Sequence, residues 1–187
     1  MLKSMEQSLL GLVVLLFLSG QAAATGMMRP ASSSIPKSLI EDLQEDLALK
    51  PFQAAAVVGN LAQETGNFTT LHEKGGSGLG YSQWTGARKS RFERFSRGEI
   101  MSYRANYGFL RHELTTEYLD VLVALKKTKT TEEATRTFMA LYLKPNPKHA
   151  ALGKRIDFAG DYLSGDFGGA GCHLNPAPGQ QRIATCR

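Results

Sequence analysis

A segment that is almost free of charge constrains this fold more than any other part of the sequence. It runs from Pro51 to Thr65, reads PFQAAAVVGNLAQET, and carries no ionisable side chain before Glu64. The pattern predicts a helix, because Pro51 suits the first helical position and Gly66 suits a C-terminal stop. A helix without a charged face must be buried on most of its sides. The rest of the chain therefore has to supply elements that surround it.

Those elements are predicted to be mainly helices. The evidence for them is apolar residues at helical spacing, a basic segment with an apolar inner face, and a capping box formed by Thr130 and Glu133. The predicted ranges are 38–49, 86–96, 107–125, 130–142 and 149–163. The glycine-rich segment 73–84, EKGGSGLGYSQW, predicts a loop with a short hairpin. The fold class that follows is α+β, predominantly α-helical, with one small β-hairpin or sheet.

Composition places the chain among ordinary globular proteins. Its 187 residues are 42% hydrophobic and 21% charged, which allows a buried core and excludes wholesale disorder, collagen and a multi-pass membrane protein. The formal net charge of +5 favours an acidic partner. Nucleic acid, anionic lipid and an anionic wall polymer are the three classes that fit.

The N-terminus predicts a signal peptide over 1–24. An apolar run from Leu9 to Leu18 is followed by small residues, and Ala22 and Ala24 fit the small-x-small cleavage rule. The run is shorter than the roughly 20 residues that a spanning helix needs. We expect cleavage after Ala24 and a periplasmic or secreted protein, with an uncleaved N-terminal anchor as the alternative. Export also argues against nucleic acid as a partner.

Both ends of the mature chain lack periodicity. Residues 25–36 are rich in Ser, Pro and Ala and predict a linker, and 164–187 form a Gly- and Pro-rich tail. The tail holds both cysteines of the sequence, Cys172 and Cys186. In an oxidising compartment a disulfide between them is expected, with two free thiols as the alternative. Neither cysteine has zinc spacing and the histidines are scattered singly, so no metal and no cofactor is expected.

Two carboxylates are the candidate catalytic residues. Glu64 ends the apolar helix, where apolar walls and the helix C-terminus are expected to raise its pKa, as a general acid at neutral pH requires. The alternative is an exposed glutamate in the last turn, salt-bridged to a basic residue. Glu73 follows at the mouth of the glycine-rich loop, where it either activates water or anchors the loop.

The end of that loop has the composition of a sugar-binding site. Glycines let a ligand approach the backbone, aromatic rings stack on pyranoses, and hydroxyl and amide groups bond to sugar hydroxyls and acetamides. The candidate substrate-binding residues are Gly80, Tyr81, Ser82, Gln83, Trp84 and Thr85. The alternative is a structural hairpin with Tyr81 and Trp84 in the core.

A basic stretch follows the loop directly. It could meet the peptide carboxylates of a wall polymer, or it could be a solvated helix face. Its residues are Arg88, Lys89, Arg91, Arg94 and Arg97.

Two motifs in this order resemble the phage tail lysozyme family. The sequence AAAVVGNLAQETGNF over 54–68 resembles its catalytic helix, and GSGLGYSQWTGAR over 76–88 resembles its second motif. Downstream, FLRHEL over 109–114 and EATRTFM over 133–139 resemble its helical half. The resemblance covers about 37–163.

The resemblance implies a lysozyme-like catalytic domain over 37–163, with the small sheet beside the cleft. It implies that Glu64 is the general acid and that Ser82, Gln83 and Trp84 lie near the sugar. One departure is Leu143-Lys144-Pro145, because relatives often carry an acidic residue just before this proline.

The activity expected from the resemblance is that of an N-acetylmuramidase, which cleaves the β-1,4 bond between N-acetylmuramic acid and N-acetylglucosamine in peptidoglycan. A lytic transglycosylase using the same acid and a non-catalytic peptidoglycan-binding scaffold are the main alternatives. A self-exported endolysin and a chitinase are the others. A cell-envelope assembly or growth complex is a further expected partner, and the oligomeric state is left open.

Overall fold

The computed structural model describes residues 34–73, 75–167 and the short strands at 172–174 and 184–186. The predicted signal peptide and residues 25–33 of the predicted linker lie outside the described residues, so both stay predictions. No helix in the described part of the chain is both long and apolar enough to cross a bilayer.

The described residues are predominantly helical, which confirms that part of the predicted fold class. The helices are α1 Ile35–Leu47, α2 Pro51–Thr65, α3 Gly86–Ser96, α4 Tyr103–Thr115, α5 Leu119–Lys127, α6 Thr131–Phe138 and α7 Leu152–Leu163. A π-helical segment, Met139–Leu143, continues α6, and a 3-10 turn, Pro147–His149, precedes α7.

Two short strands follow in the C-terminal tail. β1, Cys172–Leu174, pairs antiparallel with β2, Ala184–Cys186. Cys172 stands opposite Cys186 in the backbone register. The side chains of these strands lie outside the described residues, so the disulfide stays a prediction.

Helix α2 lies at the centre of the domain, as its lack of charge requires. Every residue from Gln53 to Ala62 is buried, and α1, α6 and α7 all pack against the helix. It ends at Gly66, which adopts a left-handed conformation with φ of 56° and donates its N–H to the Ala62 carbonyl. The predicted helix and its stop are both confirmed.

A close backbone contact joins α2 to α7 at Gly59. A Cβ atom at this position would lie 2.6 Å from the backbone nitrogen of Ala159 and 2.7 Å from the carbonyl oxygen of Arg155. Only a residue without a side chain allows two helix backbones to come this close. The contact therefore holds α7 against the second half of α2.

The predicted helix over 107–125 is wrong, because two helices occupy this region. α4 ends at Thr115 and α5 begins at Leu119. The hydroxyl of Thr116 donates to the carbonyl of His112 at 2.7 Å, and Thr116 itself leaves the helical conformation with φ of −126° and ψ of −94°. Side-chain hydrogen bonds of this kind compete with the helical ladder.

The glycine-rich segment forms a tight loop with isolated bridges. Leu79 bridges to His72 on one side and to Trp84 on the other. Gly80 and Gln83 both adopt positive φ, at 72° and 48°, within the turn that the Leu79–Trp84 bridge closes. The small β-hairpin expected here is not confirmed.

We expect Gly59→Ala to lower the free energy of unfolding by about 2 kcal/mol, because the added methyl overpacks a backbone contact. Gly160→Ala is the matched control on α7, since a methyl added there would meet nothing within 4 Å. It should leave the protein as stable or stabilise it by up to about 1 kcal/mol through helix propensity. Urea unfolding measures both, and equal stability of the two variants would contradict the packing described.

Candidate active site

Glu64 lies in the last turn of α2 and is paired with a buried cation. Its Oε1 accepts a hydrogen bond from Nη2 of Arg155 at 2.7 Å. The Glu64 side chain is 21% exposed, whereas that of Arg155 is 2% exposed. The carboxylate therefore lies at the edge of the core. One of its oxygens is bound by Arg155, and part of its surface is open to a ligand.

The guanidinium of Arg155 is fixed by the surrounding backbone. Nε donates to the carbonyl of Ala150 at 2.6 Å, and Nη1 donates to the carbonyl and the side-chain Oδ1 of Asn60 at 3.2 and 3.3 Å. Asn60 in turn donates to the carbonyls of Ala56 and Thr135 at 2.9 and 3.1 Å. Elements α2, α6 and α7 thus converge on one network that ends at Glu64.

This setting differs from the apolar walls expected around Glu64. An ion pair to a basic residue is what the alternative interpretation expected, and Arg155 supplies it. The alternative also expected an exposed glutamate, whereas most of the side chain is covered. Glu64 is thus a partly open carboxylate whose position is set by a buried arginine.

Glu73 anchors its own loop in this structure. Its Oε2 accepts the backbone N–H of Gly78 at 3.1 Å, and its backbone N–H donates to the Gly78 carbonyl, also at 3.1 Å. Its side chain also lies against Gly76, where a Cβ would come within 1.9 Å of Oε2. These contacts match the alternative interpretation, a loop-anchoring residue.

Tyr81 and Trp84 lie in the core rather than in an open sugar site, which corrects the expected stacking role. Each residue is 1% exposed. The Trp84 ring packs against Phe92 and Phe109, with centroids 4.5 and 4.9 Å away, and Tyr81 makes an edge contact with Phe68. Rings enclosed in this way have no free face for a pyranose.

The other predicted substrate-binding residues divide by exposure. Gly80 and Ser82 are buried. Gln83 is half-buried, and its amide donates to the Gly80 carbonyl at 2.9 Å. Thr85 is exposed at the start of α3. Gln83 and Thr85 are therefore the members of the set that a ligand can reach.

A buried carboxylate, Glu113, holds this loop to the helices. We call Trp84, Arg88, Glu113 and Tyr142 the Glu113 cluster. Glu113 is fully buried and accepts Trp84 Nε1 at 2.8 Å and the Tyr142 hydroxyl at 2.6 Å. Arg88 adds two parallel hydrogen bonds, from Nε and Nη2, each 2.8 Å. The cluster joins the loop, α3, α4 and the π-helical segment.

Electrostatics in the Glu113 cluster favour a protonated Arg88 and a neutral Tyr142. Burial lowers the pKa of Arg88, but its hydrogen bond to Glu113 and the nearby negative charge outweigh burial and raise the pKa above its ordinary value. Burial and the Glu113 carboxylate raise the pKa of Tyr142, so its hydroxyl stays a donor. The Arg88 guanidinium also lies 4.7 and 4.5 Å from the rings of Tyr118 and Tyr142.

A family model described as phage tail lysozyme matches residues 43–164. The chain belongs to the phage tail lysozyme family. This confirms the resemblance drawn from the motifs. The membership indicates a lysozyme-like peptidoglycan hydrolase of the glycoside hydrolase type. Comparison with curated proteins and with solved structures gives no significant match.

The segment matched to the phage tail lysozyme family contains both buried networks, including Arg155 and Glu113. It also contains the departure at Lys144, which adopts a left-handed conformation and closes the π-helical segment through a bond to the Met139 carbonyl at 2.8 Å. Across the described residues, no group of three or more His, Cys, Asp and Glu side chains could hold a metal ion.

Sequence reasoning missed Glu113 and Arg155. The signal for Glu113 was present, because it lies three and four residues after Leu110 and Phe109 on the apolar face of α4. A carboxylate on that face needs buried partners. The signal for the Arg155 network was Asn60, a polar side chain in the middle of an uncharged helix. Nothing in the sequence identifies Arg155 as the partner of Asn60.

We expect Arg88→Met to lower the free energy of unfolding by about 3 kcal/mol, because it removes the two short hydrogen bonds that pair the buried Glu113 carboxylate with a cation. The cation that remains is Arg91, whose Nη2 lies 3.8 Å from Glu113. Arg136→Met is the matched control, since Arg136 forms an exposed pair with Glu132 and should cost less than about 0.5 kcal/mol. Denaturant unfolding compares them. A similar small cost for both would show that Glu113 does not depend on Arg88.

Proposed function

We propose that this protein cleaves the β-1,4 bond between N-acetylmuramic acid and N-acetylglucosamine, with Glu64 as the general acid. Membership of the phage tail lysozyme family supports peptidoglycan as the substrate. The observation that carries the assignment is the geometry of Glu64, a partly open carboxylate at the end of a buried helix, positioned by Arg155.

In this proposal the proton moves from the Glu64 carboxyl to the glycosidic oxygen as the bond breaks. A general acid of this kind ends the step as a carboxylate. The guanidinium of Arg155, 2.7 Å away, stabilises that carboxylate. Arg155 keeps its place throughout, because Ala150 and Asn60 hold its other nitrogens. The acid is reprotonated from solvent through its exposed side.

The second catalytic group separates the two candidate reactions. An inverting hydrolase needs a base carboxylate roughly 6.5–9.5 Å from the acid to activate water, and Glu73 is the candidate for that role. Because Glu73 already accepts the Gly78 N–H, a lytic transglycosylase is the second candidate function. In that reaction Glu64 acts first as acid and then as base, and the 6-hydroxyl of the sugar attacks.

The cellular setting is part of the proposal. Residues 1–24 direct export to the periplasm or the medium, where peptidoglycan is accessible. Retention of this segment as an anchor is the alternative. A non-catalytic scaffold with the same fold is a further alternative, and a partly open carboxylate held by a buried arginine argues against it.

We expect Glu64→Gln to reduce the clearing of purified sacculi at least about 100-fold, because an amide cannot donate the proton. Glu132→Gln is the matched control, an exposed glutamate that is likewise paired with an arginine, and it should keep full activity. Circular dichroism melting checks that both variants are folded. Normal clearing by folded Glu64→Gln would rule out this assignment.

We expect Glu73→Gln to reduce clearing by less than about tenfold, well below the roughly 100-fold that loss of a general base would cost, because the Glu73 carboxylate is used as an acceptor for the Gly78 N–H in its own loop. The measurement is the same assay, run beside Glu64→Gln. A loss as large as that of Glu64→Gln, with unchanged folding, would instead assign Glu73 the role of the base.

A further inference from the structure

A basic groove runs between the C-terminal part of α3 and α4, and none of its residues belongs to the candidate active site. Its volume is about 810 Å³. We define the basic groove by the charged and aromatic side chains that line it, which are Arg94, Phe95, Arg97, Glu99, Arg104, Arg111 and His112.

The arginines of the basic groove are largely available to a ligand. Arg94, Arg97 and Arg104 are exposed, and none of their guanidinium groups forms a hydrogen bond or ion pair within the described part of the chain. Arg111 is the exception, because its Nη1 pairs with Asp46 at 3.0 Å. Like charges gathered without partners raise the local positive potential and favour an anionic ligand.

An aromatic surface lies beside these charges. Phe95 is 44% exposed and stacks on His112 with ring centroids 5.9 Å apart. Gly108 leaves room for this ring, since a Cβ there would lie 3.3 Å from it. The basic groove thus offers an apolar face next to guanidinium groups, so its ligand carries both apolar and anionic parts.

We propose that the basic groove binds the stem peptides of peptidoglycan through their free carboxylates. This inference rests on the proposed function, which supplies the polymer. Guanidinium groups match carboxylates in charge and geometry, and Phe95 can cover the methyl groups of the peptide. Glu99 distinguishes this ligand from a polyphosphate, because it would repel a uniformly anionic chain but can accept a peptide N–H or an amino group. The groove therefore recognises the cross-linking peptides while the Glu64 site cleaves the glycan.

The test measures binding separately from catalysis. Every chain carries Glu64→Gln, so that the polymer stays intact, and co-sedimentation is measured with two probes. One is sacculi stripped of accessory polymers, and the other is glycan strands from which an amidase has removed the peptides. The groove variant is Arg94→Glu with Arg104→Glu. The matched control, Lys126→Glu with Lys129→Glu, changes the net charge equally at two exposed lysines.

We expect the groove variant to bind sacculi at least about tenfold more weakly than the control variant, with the difference decreasing at high salt. On peptide-free strands the two should bind alike. Equal binding of both variants to sacculi would overturn the proposal. So would an equal loss on peptide-free strands, or a loss confined to RNA or to anionic vesicles tested in parallel.

A catalytic arm keeps this result distinct from the proposed function. With Glu64 restored, the groove variant should cleave peptide-free strands at the rate of the unmodified protein and intact sacculi more slowly. Failure of the unmodified protein to cleave either polymer would contradict the proposed function, while the sedimentation result would still decide whether the groove binds peptides. If the groove variant cleaved both polymers at the rates of the unmodified protein, the proposal for the groove would be overturned.

Discussion

The backbone contact between α2 and α7 at Gly59 determines how the rest of this domain is arranged. Because no side chain separates the two helices there, α7 runs against α2 closely enough for Arg155 to contact both Asn60 and Glu64. A larger residue would move α7 outward and separate the arginine from the carboxylate. One small residue in the core therefore governs the position of the candidate catalytic group.

Two buried ionic networks organise the domain on either side of this contact. Arg155 links α2, α6 and α7 beneath Glu64, and Glu113 links the glycine-rich loop to α3, α4 and the π-helical segment. Each buried charge is paired and hydrogen-bonded, as burial in a medium of low polarity demands. The domain thus combines a fixed acid with a loop that is fastened to the core.

The sequence was sufficient to predict the central helix, its stop at Gly66 and the family, because these depend on local patterns. The break at Thr116 was not predictable from apolar spacing, since a hydroxyl bonding to its own helix decided it. The positions of Tyr81 and Trp84 were also not predictable, because an aromatic ring can stack on a pyranose or pack in a hydrophobic core equally well. Arg155, the partner of Glu64, lies 91 residues later in the chain. Their pairing depends on tertiary packing, and no local signal encodes it.

The central claim is that Glu64 drives cleavage of the glycan strand, and the most direct measurement is mass spectrometry of the products released from purified sacculi. The account predicts muropeptides with reducing N-acetylmuramic ends from the unmodified protein and none from Glu64→Gln. Anhydro-muramic ends, lighter by one water, would show instead that the same acid carries out the transglycosylase reaction. Identical products from both proteins, or none from the unmodified protein, would contradict the account.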